Sequence, residues 1–173
     1  MSPRGIARIK ALATFIVLGL VLLIGVTWAW AAITEPFPAR EPTPPCVKTV
    51  IRAGEPLRPG AVTISVLNAG GPEGLARQTM DDLKSRGFDE GELSNAPGGT
   101  KVARVQVWTT DRANPAARLV GSYLGRDVAV VKRDGGQPGI NIVVGPGFAG
   151  TVKGLGRIVL KEEATVCGPA VEE

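Results

Sequence analysis

The sequence predicts an α/β fold: a small two-layer sandwich in β-α-β-β-α-β-β order, preceded by one transmembrane helix. Three observations predict it. An uncharged apolar run opens the chain. Two amphipathic helical patterns each lie between β-branched, strand-like runs. Glycine and proline turns separate these runs. Two such helices cover only one face of a small sheet, so two layers are the natural packing.

The apolar run is "ALATFIVLGLVLLIGVTWAWAAI", Ala11 to Ile33, 23 residues without a charge. At about 1.5 Å per residue it crosses a hydrocarbon core of roughly 30 Å. Arg4, Arg8 and Lys10 precede it, and no Lys or Arg follows until Arg40. The positive-inside rule then puts residues 1–10 in the cytoplasm as a short tip, with residues 11–33 as the plasma-membrane anchor. Everything after Ile33 lies outside. Trp28 and Trp30 fall where an interfacial aromatic belt belongs. A cleaved signal peptide is the competing reading, because Ala29-Trp30-Ala31 fits a loose A-x-A pattern. The run is longer than the roughly 7–15 residues of a signal-peptide core, which favours the anchor. Both readings export the rest of the chain.

Charge divides accordingly. The 173 residues hold 20 basic and 16 acidic side chains, and three of the basic ones precede the anchor. The exported part therefore carries only +1, which leaves a nucleic-acid partner without electrostatic support. Export also bears on the two cysteines, Cys46 and Cys167. A lone pair in an oxidising compartment predicts one disulfide. Closing a loop of about 120 residues is worth roughly 4–5 kcal/mol in chain-entropy terms. Two free thiols are the alternative, and the chain has no histidine to activate a thiolate.

Residues 34–60 read as a Pro-rich stalk, with five prolines between Thr34 and Cys46 and a possible short strand at Val47–Ile51. Residues 61–150 read as the folded domain and 151–173 as a C-terminal extension tied back by the disulfide. In the domain, Ala61–Leu67 is a strand buried on both faces. Leu75, Ala76, Thr79, Met80 and Leu83 recur at helical spacing, with Gly87 as the C-cap. Phe88–Asn95 is a second strand and "APGGT" a turn. A third strand holds Val102, Val105 and Val107 and reaches Thr109. Pro115 opens a second helix, with Ala116, Ala117, Val120, Tyr123 and Leu124 on one face and Gly125 ending it. Asp127–Lys132 and Ile140–Val144 are strands, and Arg157–Leu160 is a segment able to pair with a sheet edge. At an offset of 41 residues, Ala76, Arg77 and Leu83 match Ala117, Arg118 and Leu124. With the same element order around them, these identities hint at a duplicated βαβ unit.

Between the first strand and first helix lies Asn68, followed by Gly70, Gly71 and Gly74. Phosphate loops share this layout, but the lysine of G-x-x-x-x-G-K-[ST] is missing, and Glu73 adds negative charge at the mouth. The bland reading is a tight turn whose glycines take positive φ and allow close approach.

"VTISVLNAGGPEGLARQTMDDLKSRGF" resembles the opening of the LytR C-terminal domain family (LytR_C): a strand ending V-L-N, a glycine turn, then G-L-A and a helix ending in G-F. "RVQVWTT", "NPAARLVGSYLG" and "NIVVGPGF" extend the resemblance over roughly Ala61 to Ala149. The layout is similar to that of stand-alone, membrane-anchored actinobacterial members. The family often ends transferases that attach glycopolymers to peptidoglycan, a domain for which this chain has no room. The resemblance implies a role in cell envelope integrity and transfers no catalytic residue. The chain departs from the pattern in its cysteine pair, its long tail and the G-P-G at Gly145–Gly147.

Without histidine no Ser-His or Cys-His pair forms, and a zinc site has poor ligands. The acidic pairs Asp81/Asp82 and Asp89/Glu90 read as solvated surface rather than glycosidase carboxylates. The expectation is a protein that is not an enzyme and uses no cofactor and no metal. Its partners are expected to be envelope proteins such as glycopolymer transferases. Direct binding of cell-wall glycan or polyprenyl-phosphate lipid is the alternative. It requires a groove of exposed aromatics (Trp108, Tyr123, Phe148) beside Arg104, Arg112 and Arg118. The candidate binding residues are Asn68, Gly70, Gly71, Gly74 and Trp108.

Overall fold

The computed structural model describes residues 3–34 and 46–169. These fall in two separate units, one holding the N-terminal helix and the other everything from residue 46. Helix α1 spans Pro3–Thr34. From Leu12 to Trp30 it is apolar and fully exposed, 19 residues, and by length and composition it is able to cross a membrane. Thr14 and Thr27, the threonines of this apolar stretch, do not leave hydroxyls unpaired. Thr14 donates to the Lys10 carbonyl, and Thr27 to the carbonyls of Leu23 and Ile24. Hydroxyls satisfied in this way tolerate an apolar surrounding.

The second unit is built on a five-stranded sheet. Its strands are β3 (Thr63–Asn68), β4 (Asp89–Asn95), β5 (Val105–Thr109), β6 (Ala129–Lys132) and β7 (Ile140–Val144), in the order β4-β3-β7-β5-β6. Helix α2 (Leu75–Ser85) joins β3 to β4, and α3 (Pro115–Gly121) joins β5 to β6. Strands β3 and β4 are parallel, as are β5 and β6. The central β7 is parallel to β3 and antiparallel to β5. Two βαβ units therefore flank β7 and point in opposite directions. The β-α-β-β-α-β-β order is the one the sequence predicts.

Alternation along the strands sorts the core into two faces. Val62, Ile64 and Val66 join Val105 and Val107, Ile142 and Val144 in one buried cluster. Met80 and Leu83 of α2, and Ala117 and Val120 of α3, complete it, so both helices cover the same face. On the other face Leu67, Val143 and Trp108 form a smaller cluster. Neither α2 nor α3 packs there. Val102 packs on it from the loop before β5, and Ser65 and Asn141 tie down the 133–139 loop. Val102 thus belongs to this cover and not to the third strand. Strand β5 begins only at Val105 because Gly145 approaches the 102–104 backbone, its N–H donating to the Arg104 carbonyl at 2.6 Å. A side chain at Gly145 would run into the Val102 carbonyl and one at Gly147 into the Ala103 carbonyl, which accounts for the two glycines of the G-P-G.

Strand β4 forms one edge of the sheet. Its register against β3 shifts between Ile64 and Val66, so Ile64 faces Glu90 but Val66 faces Leu93. This bulge and three acidic residues protect the edge from further pairing. The exposed Lys84 at the end of α2 pairs with Glu90 of β4. That hydrogen bond, helped by the Glu90 charge, raises the Lys84 pKa.

Residues 34–60 are not all stalk. Residues 35–45 lie outside the described part, whereas Val47–Ile51 (β1) and Pro56–Leu57 (β2) are folded. Strand β1 pairs antiparallel with β9 (Ala164–Gly168), and β2 with β8 (Ile158–Val159). The C-terminal extension thus pairs with the segment before the domain and not with an edge of the main sheet. Cys46 and Cys167 form the disulfide across 121 residues, with Cα atoms 5.3 Å apart. The second helix is shorter than its apolar pattern. It ends at Gly121, and Tyr123 and Leu124 continue through i→i+3 bonds to Val120 and Gly121, a tightened last turn.

Candidate functional site

The Asn68–Gly74 loop leaves β3 and enters α2. The Asn68 side chain closes it: its Oδ1 accepts from the Gly71 N–H at 2.8 Å, and its Nδ2 donates to the Gly71 carbonyl. Gly70 and Gly74 sit at φ 87° and 84°, the left-handed region where a side chain is strained. A Cβ on Gly71 would lie 2.6 Å from the Leu75 side chain. Each glycine of the cluster thus has a local steric reason.

Beside this loop an open polar shelf of about 380 Å³ runs across the carboxyl ends of β3 and β4. Asn68 and Glu73 form one side, and Arg77 of α2 rises from the helix. Ser94 and Asn95 of β4 complete it. Arg77, Glu73 and Asn95 are exposed. The carboxyl end of adjacent parallel strands is where α/β folds place their binding residues.

Trp108 does not join this shelf. In β5 it faces Asn141 of β7, three register steps from the Asn68–Val144 pair, and it points to the face away from the helices. Its ring is 1% exposed, and its Nε1 donates to Gln106 Oε1 at 2.8 Å. The Arg133 guanidinium stacks 4.0 Å above the ring. Trp108 lines a second cleft of about 190 Å³ at the carboxyl ends of β5 and β6. The two βαβ units run in opposite directions, so shelf and cleft are equivalent places at opposite ends of the sheet.

The aromatic groove that direct glycan or lipid binding would require is not built. Trp108, Tyr123 and Phe148 are all buried, as is Phe88. Tyr123 stacks edge-on with Phe88 at 5.1 Å, and its hydroxyl donates to the Leu155 carbonyl. Arg104 pairs with Asp127, while Arg112 and Arg118 are exposed. The alternation that places these rings on inward positions wins over their capacity as stacking platforms. Sequence reasoning missed Arg77, Ser94 and Asn95 on the shelf, and Lys48, Asn114, Arg133 and Asn141 around the cleft. Asn141 had a signal: it is the one polar residue in the apolar run "INIVV". Among the described residues no three His, Cys, Asp or Glu side chains gather as metal ligands would.

No curated protein matches the chain. Among solved structures it is similar to the soluble domain of a conserved hypothetical secreted protein from Mycobacterium marinum, at 21% identity over 69% of this chain and 76% of that one, with a TM-score of 0.43. The sequence pattern of the LytR_C family matches residues 61–148, from just before β3 to the glycine turn after β7. That span is just over half of the sequence, and the chain belongs to this family, described as LytR cell envelope-related transcriptional attenuator.

Proposed function

We propose that this is a membrane-anchored, extracytoplasmic protein of the cell envelope whose domain binds other envelope proteins, glycopolymer transferases first among them, and carries out no reaction itself. The family description supports the envelope setting. An apolar helix of membrane-spanning length supports the anchor, and a disulfide supports an oxidising compartment. In this reading residues 1–10 are the cytoplasmic tip and 11–33 the anchor.

The observation that carries the reading is the shelf. It is shallow, open and mixed in charge, with Glu73 and Arg77 both exposed. Small-molecule sites are concave and mostly apolar, and protein interfaces end in polar, solvated rims of this kind. With all four aromatic rings of the domain buried, a sugar has no face to stack on.

The test is binding between the full chain in nanodiscs and a purified glycopolymer transferase from the same organism. Arg77→Glu combined with Asn95→Arg should weaken the complex about tenfold or more. Both side chains are exposed, so the melting temperature should stay unchanged. Absent binding, or binding indifferent to the pair, would defeat the reading.

A further inference from the structure

The cleft at the other end of the sheet holds a group that the fold leaves unsatisfied. Asn141 is 3% exposed and lines the cleft. Its Nδ2 donates to the carbonyls of Gln137 and Gly139, at 2.9 and 3.2 Å. Its Oδ1 is buried and accepts no hydrogen bond among the described residues. Native folds rarely leave a buried acceptor unpaired, and a site for a donor is a standing explanation when they do.

The cleft's other groups define the rest of the ligand. Trp108 is the direct cross-strand neighbour of Asn141, so the two side chains stand together on one face. The Arg133 guanidinium carbon sits over the Trp108 ring, 4.0 Å from its centroid. A cation held on an aromatic ring keeps N–H donors for a carboxylate. Lys48 approaches from β1, held opposite Cys167 by the β1–β9 pairing. Among the described residues the side chains of Lys48 and Arg133 have no hydrogen-bond or ion-pair partner. Asp134 is the acidic residue lining the cleft, and its carboxylate is engaged by the Gly136 N–H at 2.9 Å. The cleft therefore offers two cations against the one carboxylate of Asp134, a net positive charge, and one buried acceptor within about 190 Å³, less than the roughly 300 Å³ at which drug-sized pockets begin.

We infer that this cleft binds the free carboxyl end of a peptide. Lys48 and Arg133 take the carboxylate, and Asn141 Oδ1 takes the N–H of the amide next to it. One or two small residues fit the volume. A neutral sugar leaves both cations unanswered and finds the tryptophan face already covered. The inference does not depend on the shelf or on a transferase partner, because the cleft lies at the opposite end of the sheet.

The test uses the full chain in nanodiscs, followed by nitrogen-15 NMR of the Trp108 indole and Asn141 amide signals. The probes are N-acetyl-L-Ala-L-Ala, N-acetyl-D-Ala-D-Ala and their carboxamides. At least one carboxylate probe should shift both signals saturably, with a dissociation constant on the order of 1 mM. Its carboxamide should bind about tenfold more weakly or worse. Lys48→Gln and Arg133→Gln, both at exposed positions, should weaken binding to a similar degree while leaving the fold intact. Preference for the L probe points to a protein C-terminus, and preference for the D probe to a cell-wall peptide. No saturable shift up to about 10 mM would overturn the inference. So would carboxamides that bind as well as the acids, or variants that bind as well as the original.

Discussion

The hydroxyl of Ser65 donates to the carbonyl of Pro138 at 2.7 Å, across 73 residues of sequence. The same oxygen accepts from the Glu92 N–H at 2.9 Å. Ser65 is fully buried, and the β4 bulge brings Gly91 close enough that a Cβ there would lie 2.5 Å from the hydroxyl. One small polar side chain therefore fixes the bulge of the edge strand and the loop that covers the face opposite the helices.

Replacing Ser65 by Ala removes both of these hydrogen bonds from a part-buried site. The expected loss is about 2 kcal/mol, or a melting temperature lower by about 5–10 °C. Ser94→Ala is the contrast. Its hydroxyl makes only a long 3.5 Å contact to the Asn95 carbonyl, and the change should be close to neutral. Thermal melts of the two variants decide this, and equal effects would refute the bridging role of Ser65.

The Cys46–Cys167 bridge ties together the β1–β9 strand pair and not the main sheet. Reduction, or Cys46→Ser with Cys167→Ser, should cost about 2–4 kcal/mol and lower the melting temperature without dissolving the central fold. Hydrogen exchange should quicken at Thr49, Val50 and Val166 and stay slow at Val66 and Ile142. An unchanged melting curve would show that the bridge contributes nothing to stability.

Orientation has a direct assay. A membrane-impermeant amine reagent on intact cells should modify the exposed Lys101 and Lys153 and spare Lys10. The purified chain should retain the residues before Ala31, since an uncleaved anchor keeps its apolar core. A chain starting at Ala32 would make the helix a signal peptide, and modified Lys10 would reverse the topology.

Legibility in the sequence followed the range of the interactions. Strand β7 was readable because five consecutive apolar or buried positions fill "INIVV". Helix α2 was readable because its period needs only neighbours three and four residues away. Val47–Ile51 was legible as a possible short strand, but its partner, residues 164–168, was not, because the pairing spans more than a hundred residues of sequence. Strand β9 itself, short and half exposed, was not foreseen. Trp108, Tyr123 and Phe148 are core, the commoner place for such rings, and they do not line the exposed aromatic groove that direct glycan or lipid binding needs. The Asn68 turn was legible residue by residue. The shelf was only half legible, because Ser94 and Asn95 arrive from β4 by parallel pairing. The cleft was illegible, since its wall is assembled from the segments around Lys48, Trp108, Arg133 and Cys167.

The most direct measurement of the proposed function is photo-crosslinking in intact cells, with the probe placed in the full chain at Asn95 or Arg77 on the exposed shelf. Mass spectrometry then identifies what is captured. The account predicts a discrete envelope protein of the glycopolymer transferase class, captured from both shelf positions and not from a probe at Lys153, which lies off the shelf. Capture of glycan or lipid with no protein, or no difference between the shelf and Lys153, would contradict it.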